Sequence, residues 1–364
     1  MIVLQHPRIL ITHRVSRIVA LLCSCAALIA EFHGLLQLDL PIVRYVRSVT
    51  IHLPWDQLTI PWMAFTSDTG DWIGEGWNLA MFSAVLLAIG WTFSLERFSK
   101  AGIETLLAHG LTALISNGLK HLVGRPRPKF VHSGEWHFAP SWESGLDSFP
   151  SGHTAATFAV ATVLAKRFPV LAPIWLSIAV FVGISRILRG AHFPTDIFAG
   201  AILGLLSGSI VAAPLANWRT SLEEGLRRGA VGGAIMFAVL WIFARPADPG
   251  LTGSLLIGVG ACAVAGGVWF RWKKWLEDRR LTATRQDNTS LALIAFGLAC
   301  LTTAPLVATA AGFASLASSL SKIEIAKPQK PFSYARALAV EGGLVVVIAV
   351  SLLILFSSRD VLPF

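Results

Sequence analysis

Three short polar stretches interrupt an otherwise apolar chain, and their residue types suit the handling of a phosphoryl group. The first, "KHLVGRPRPKF", carries Lys120, His121, Arg125, Arg127 and Lys129. The second, "SFPSGHTAATF", sets Pro150, Ser151, Gly152 and His153 at the mouth of an apolar helix. The third, "SRILRGAHFPTDIFAG", brings Ser185, Arg186, Arg189, His192, Pro194 and Asp196. Ser151 is placed to cap a helix whose first amides lack intrahelical partners. Free amides at the positive end of a helix dipole bind anions, so Ser151 and Gly152 are positioned to cradle non-bridging oxygens, with His153 beside them on the first turn. Pro194 suits a first helical turn, which leaves His192 just before the helix and Asp196 inside that turn. A carboxylate accepting from one ring nitrogen of His192 leaves a lone pair on the other, the arrangement of a histidine nucleophile. Arg186, with Lys120 and Arg127, supplies the positive charge that a transferring phosphoryl group needs.

The elements that must hold these residues are membrane helices. Hydrophobic residues make up 54% of 364 positions and charged residues 14%, with a mean hydropathy of +0.64, which excludes an ordinary soluble globule. Ten apolar runs approach spanning length: near Ile18 to Leu36, Asn78 to Leu95, Ile103 to Leu119, His153 to Ala165, Leu171 to Ile187, Thr195 to Ala213, Ala230 to Phe243, Leu251 to Phe270, Ser290 to Gly312 and Ala337 to Phe356. The first run also fits a cleaved signal peptide, although the alternation of loop charges favours a retained span. Basic residues set the orientation. Arg8, Arg14 and Arg17 precede the first run, Lys166 and Arg167 follow the fourth, Arg219, Arg227 and Arg228 precede the seventh, and Arg271 to Arg285 crowd the loop after the eighth. The positive-inside rule places these segments and both termini in the cytoplasm. The three polar stretches then share the opposite face, where the basic first stretch breaks the rule, as a binding task would require. A solvated loop is the plainer alternative.

Taken together, the three stretches resemble the type 2 phosphatidic acid phosphatase superfamily. Lys120, Arg127 and Pro128 match its first motif; Pro150, Ser151, Gly152 and His153 its second; Ser185, Arg186, His192 and Asp196 its third. The resemblance covers roughly residues 15 to 215. It implies a six-helix catalytic core over residues 1–215 of an all-α integral membrane protein; by length, residues 216–364 supply about four further membrane helices of unassigned role. It implies that His192 attacks phosphorus to form a phosphohistidine with Asp196 orienting it, and that His153 protonates the leaving oxygen. Lys120, Arg127, Ser151, Gly152 and Arg186 would hold the phosphate. No metal, cofactor or nucleic-acid partner is implied. The substrate would be a lipid phosphate or diphosphate, cleaved at the non-cytoplasmic face of the cytoplasmic (inner) membrane. A phosphotransferase using the same site is the alternative; a non-enzymatic lipid transporter would need neither His153 nor the pair of His192 and Asp196.

The remaining residues read more plainly. Lone histidines at helix ends are usually structural, the reading given to His109 and His121, and Ser185 suits packing as well as catalysis. Arg125, Lys129 and Arg189 suit a second phosphate or anionic headgroup as well as they suit solvent. Glu104 and Glu341 lie near span edges, where a charge is cheap to keep, and are read as structural. Cys23, Cys25, Cys262 and Cys300 fall inside apolar runs, as packing residues rather than disulfides or zinc ligands. The segment from Asp39 to Trp77, with Trp55, Trp62, Trp72 and Trp77, reads as an interfacial lid or as an aromatic belt. Beyond residue 216, stretches such as "GVGACAVAGG" permit close helix contact but carry no polar constellation.

Overall fold

A computed structural model describes residues 7–50, 61–131, 138–213, 217–243, 250–278, 289–304 and 307–315, with scattered positions between 343 and 355. Trp55, the side chains of Cys23 and Trp62, Glu341, the basic residues Arg279 to Arg285 and most of the tenth apolar run lie outside the described residues. All regular structure described is helical: α1 (Pro7–Thr50), α2 (Pro61–Gly74), α3 (Gly76–Thr92), α4 (Glu96–Val123), α5 (Gly152–Arg167), α6 (Ala172–Leu188), α7 (Pro194–Val211), α8 (Trp218–Phe243), α9 (Gly250–Asp278) and α10 (Thr289–Leu301), with single 3-10 turns at Pro128–Phe130 and Pro169–Leu171. The chain divides into two compact units, residues 35–229 and residues 1–34 with 230–364.

Among the described residues, Pro169–Leu188, Pro194–Val211 and Gly250–Lys273 are long and apolar enough to cross a membrane, and counting each of two bent helix pairs as one span raises the number to five. The protein is a multi-pass membrane protein, with Trp91, Leu107, Leu114 and Ile184 turned outward, where a bilayer leaves apolar side chains unpenalised. Length and composition alone do not single out every apolar run as a span. The fourth folds as α5, whose 16 residues rise about 24 Å, short of a hydrocarbon core of about 30 Å. The third sits within α4, which also carries Glu96, Lys100 and Glu104.

In the unit spanning residues 35–229, α5 is the central helix, packed against α4, α6 and α7. Ala155, Ala156, Ala159, Val160, Val163 and Leu164 bury its faces. Its contact with α7 is made close by a glycine stripe. A Cβ on Gly200, Gly204 or Gly208 would lie 2.7, 2.4 or 2.6 Å from the carbonyl oxygens of Ser151, Ala155 and Ala159, so only hydrogen fits and the two backbones touch. That contact draws the first turn of α5 to the first turn of α7, and the Ser151 amide donates to the Asp196 carbonyl at 3.0 Å. At the end of α4, Gly124 takes φ +57 as the helix cap, and a Cβ there would meet the Ala139 carbonyl at 1.7 Å. This left-handed turn sends Arg125 inward and Arg127 toward the same end of α5.

The tryptophan-rich segment before α3 is helical where described: residues 39–50 continue α1 and Pro61–Gly74 form α2. Gly70 and Gly74 let α2 lie directly on α6 and α5, since a Cβ would come within 2.1 Å of Ser185 Oγ or 2.7 Å of Val182 Cγ1 and 3.0 Å of the His153 ring. Trp72 and Trp77 stay largely exposed. In the other unit, α9 and α10 cross with Gly260 and Gly297 facing each other, each Cβ position 2.8 Å from the other's carbonyl oxygen.

Candidate active site

The ends of α2, α4 and α5 and the turn between α6 and α7 enclose a cavity of about 330 Å³ lined by Asp71, Lys120, Arg127, Lys129, His153, Arg186, Arg189, Gly190, Ala191 and His192. Lys120, Arg127, His153, Arg186 and His192, five of the residues singled out by spacing, therefore meet on one surface. Ser151, Gly152 and Asp196 are not in the cavity wall. Gly152 lies beside it, its Cβ position 3.7 Å from Lys120 Nζ. Ser151 occupies the cap position of α5, but its side chain makes no capping bond; its hydroxyl accepts from Thr154 Oγ1 at 3.0 Å.

His192 is 3% exposed, and its Nδ1 lies 2.7 Å from the Ser148 carbonyl oxygen. A carbonyl can only accept, so Nδ1 carries the proton and Nε2 keeps its lone pair. The acceptor is thus a backbone carbonyl instead of the Asp196 carboxylate expected from spacing, whose Oδ2 is 3.8 Å from Nδ1, beyond hydrogen-bonding reach. Asp196 is occupied by other donors. Its Oδ2 accepts from Ser148 Oγ at 2.6 Å and from the Phe193 amide at 2.8 Å, the latter capping α7. Its Oδ1 accepts from Arg125 Nη1 at 2.5 Å. Asp196 holds Ser148, and Ser148 holds the imidazole.

Arg125 is 1% exposed and wholly internal, neither solvated nor facing a ligand. Besides Asp196 it donates to Thr195 Oγ1 at 2.6 Å and to Asp39 Oδ2 at 2.6 Å, and its guanidinium sits 4.3 Å from the Phe193 ring centroid. Asp39 also accepts from the Thr195 amide at 3.0 Å. One cation between two buried carboxylates fixes the start of α7 from α1. Lys129 and Arg189, by contrast, line the cavity.

Two further carboxylates stand against the cavity cations. Arg127 donates to both oxygens of Asp147, at 2.8 and 2.6 Å, and Lys120 Nζ is 4.0 Å away. Burial alone would raise the Asp147 carboxyl, but the Arg127 fork and Lys120 hold it below the usual carboxylate range. Arg186 is paired with Asp71 and donates to the Ser67 carbonyl at 3.1 Å, while His153 Nε2 lies 3.3 Å from Asp71 Oδ1. Burial lowers the proton affinity of His192, the Asp196 carboxylate opposes this, and Arg127 and Lys120 add to the lowering, which favours the neutral ring. Elsewhere Glu104 pairs with Arg167 across α4 and α5, and His121 accepts a place between Trp142, stacked at 4.0 Å, and the Ser141 carbonyl. Both are structural.

Residues 101–219 match the PAP2 superfamily, and this segment holds every residue of the cavity wall except Asp71. A decaprenylphosphoryl-5-phosphoribose phosphatase of Mycobacterium tuberculosis is 32% identical over 136 residues, which cover 37% of this chain and 70% of the relative. The chain belongs to the PAP2 superfamily. Two other PAP2 relatives are a lipid A 1-phosphatase of Rhizobium johnstonii, 38% identical over 95 residues that cover 26% of this chain and 39% of the relative, and phosphatidylglycerophosphatase B of Bacillus subtilis, 35% identical over 133 residues that cover 34% and 62%. The chain spans about two-fifths of the length of the two Rhizobium lipid A 1-phosphatases it matches. Asp39 and Asp71 lie outside the segment that matches the PAP2 superfamily, and no spacing rule ties them to it. A charged residue inside an apolar helix was their one signal in the sequence.

Proposed function

We propose that the protein is a membrane phosphatase that hydrolyses a lipid phosphate or diphosphate ester through a phosphohistidine on His192. The observation that carries this is the fixed tautomer of His192: Nδ1 is committed to the Ser148 carbonyl, so Nε2 is a free nucleophile at a cavity wall that also holds Lys120, Arg127, His153 and Arg186. The Nε2 lone pair attacks phosphorus while the P–O bond to the lipid breaks, and His153 delivers a proton to the departing oxygen. Water then attacks phosphorus as His153 takes its proton, the P–N bond breaks to return the lone pair to His192 Nε2, and inorganic phosphate leaves. Lys120, Arg127 and Arg186 bind the non-bridging oxygens, and the first amides of α5 after Ser151, at Gly152 and His153, add the field of the helix start. Asp196 acts through Ser148, positioning the nucleophile.

The names of the three relatives each join a phosphate to a lipid, which supports a lipid ester as the substrate class. The loop charges support a cavity on the non-cytoplasmic side of the inner membrane with both termini in the cytoplasm. The test is phosphate release by purified protein in detergent from a panel of lipid phosphates and diphosphates, with His192→Ala beside it. Release by the wild type alone is expected. Equal release by His192→Ala would overturn the nucleophile, and transfer of labelled phosphate to a second lipid without release would replace hydrolysis by phosphotransfer.

A further inference from the structure

His153 stands in a ring of positive charge. Lys120 faces it from α4, Arg127 and Lys129 from the segment after α4, Arg186 from α6 and Arg189 from the turn that follows, where the neutral His192 also lies. Such neighbours favour a neutral imidazole, which is a poor proton donor to an alkoxide. Among the described residues, Asp71 is the carboxylate within 4.0 Å of the ring, 3.3 Å from Nε2. It is delivered by α2, and α2 can approach this closely because Gly70 and Gly74 bear no side chain where Ser185, Val182 and His153 press on it. The same carboxylate pairs with Arg186 and lies 3.5 Å from Arg189 Nη1.

We propose that Asp71 is a positioning residue for the leaving-group step: its carboxylate beside Nε2 raises the proton affinity of His153 against the burial and the cations that lower it, so that more of the ring can pass a proton to the lipid oxygen as the P–O bond breaks. The proposal rests on the phosphatase reading above. It assigns to α2 a part of the reaction that lies outside the segment matching the family. Asp71 itself transfers nothing. Because phosphoryl oxygens and Asp71 compete for Arg186, removing the carboxylate frees that guanidinium for the ground state. Substrate binding then holds or tightens while turnover falls, the opposite of what a loosened pocket would do.

The test compares wild type, Asp71→Asn and Asp71→Glu as full chains in detergent, on dioctanoyl phosphatidic acid and on p-nitrophenyl phosphate. An alkoxide must be protonated to leave, whereas nitrophenolate needs little help. For Asp71→Asn the expected kcat on the alkyl ester falls at least tenfold, since a general acid contributes about 10²–10⁴, with KM unchanged or lower. The basic limb of its pH profile moves to lower pH by about one unit, p-nitrophenyl phosphate loses less than about threefold by the same logic, and Asp71→Glu recovers part of the loss. Equal loss on both substrates, or an unmoved basic limb, would overturn the proposal. If wild type cleaves neither ester, the phosphatase reading is what fails. The proposal is then judged by the NMR titration of ¹³C-labelled His153, assigned with His153→Gln: an unchanged midpoint in Asp71→Asn overturns it, and a lowered one supports it.

Discussion

Replacing Arg125 by alanine tests whether a buried charge network, distant in sequence from His192, holds the nucleophile. The guanidinium is 1% exposed and bridges two carboxylates whose side chains are 0% exposed, with contacts of 2.5 Å to Asp196 and 2.6 Å to Asp39. Removing one partner of a buried pair costs about 3–5 kcal/mol, because the remaining charge is left without compensation. Here two carboxylates would be stranded, so Arg125→Ala is expected at the upper end of that range, about 4–5 kcal/mol. Arg125→Lys retains the charge but not the fork that reaches Asp39, Thr195 and Asp196 together, and is expected to lose less. Activity should fall with stability, since Asp196 holds Ser148 and Ser148 holds His192; a misplacement of about 1 Å costs on the order of 10²-fold in rate. Denaturant unfolding in mild detergent measures the first effect and turnover the second. The double variant Arg125→Ala with Asp39→Ala should lose clearly less than the sum of the singles, with a coupling of about 1–3 kcal/mol. A loss below about 1 kcal/mol for Arg125→Ala, the range of exposed ion pairs, or full activity in that variant, would refute the reasoning.

Two other outcomes follow from the same site. Burial holds His192 below the ordinary imidazole value of 6.5 against the pull of Asp196, so the neutral nucleophile survives mild acid and is lost only as pH falls through the lowered pKa. The acid limb of kcat/KM, corrected for the substrate phosphate's own ionisation near about 6, should therefore lie below 6.5, and a limb at or above that value would contradict the assignment. Lys120, Arg127, Lys129, Arg186 and Arg189 share one cavity and supply the charge on which phosphoryl transfer depends, so turnover should persist in EDTA. Complete loss that magnesium restores would contradict this.

How much of this was legible in the sequence depends on how each residue reaches the site. Lys120, Arg127, His153, Arg186 and His192 are spaced by the helices that carry them, and the structure brings these five to one cavity wall. The glycine stripe Gly200, Gly204 and Gly208 that draws α7 onto α5 repeats every four residues and was equally open to view. The acceptor for His192 was not, because Ser148 acts through a backbone carbonyl, which no side-chain pattern reveals. Asp39 and Asp71 come from α1 and α2, where nothing in the spacing links them to the motifs; only tertiary packing pairs them with Arg125, Arg186 and His153. Arg125 sits between motif residues, yet the left-handed turn at Gly124 directs it into the interior while Arg127 reaches the cavity. Membrane spans were legible as apolar runs, but for α5, with 16 residues, and α4, which carries Glu96, Lys100 and Glu104, hydropathy alone does not fix the length of a crossing.

The central claim is a covalent phosphohistidine on His192. Purified protein mixed with a lipid ester labelled on phosphorus, quenched in alkali within a single turnover and digested, should yield one labelled peptide containing His192, its label stable to base and released by acid. His192→Ala should give none, and His153→Ala should still give some. Label on another residue of the wild type, or rapid turnover with no labelled protein at any quench time, would contradict the account.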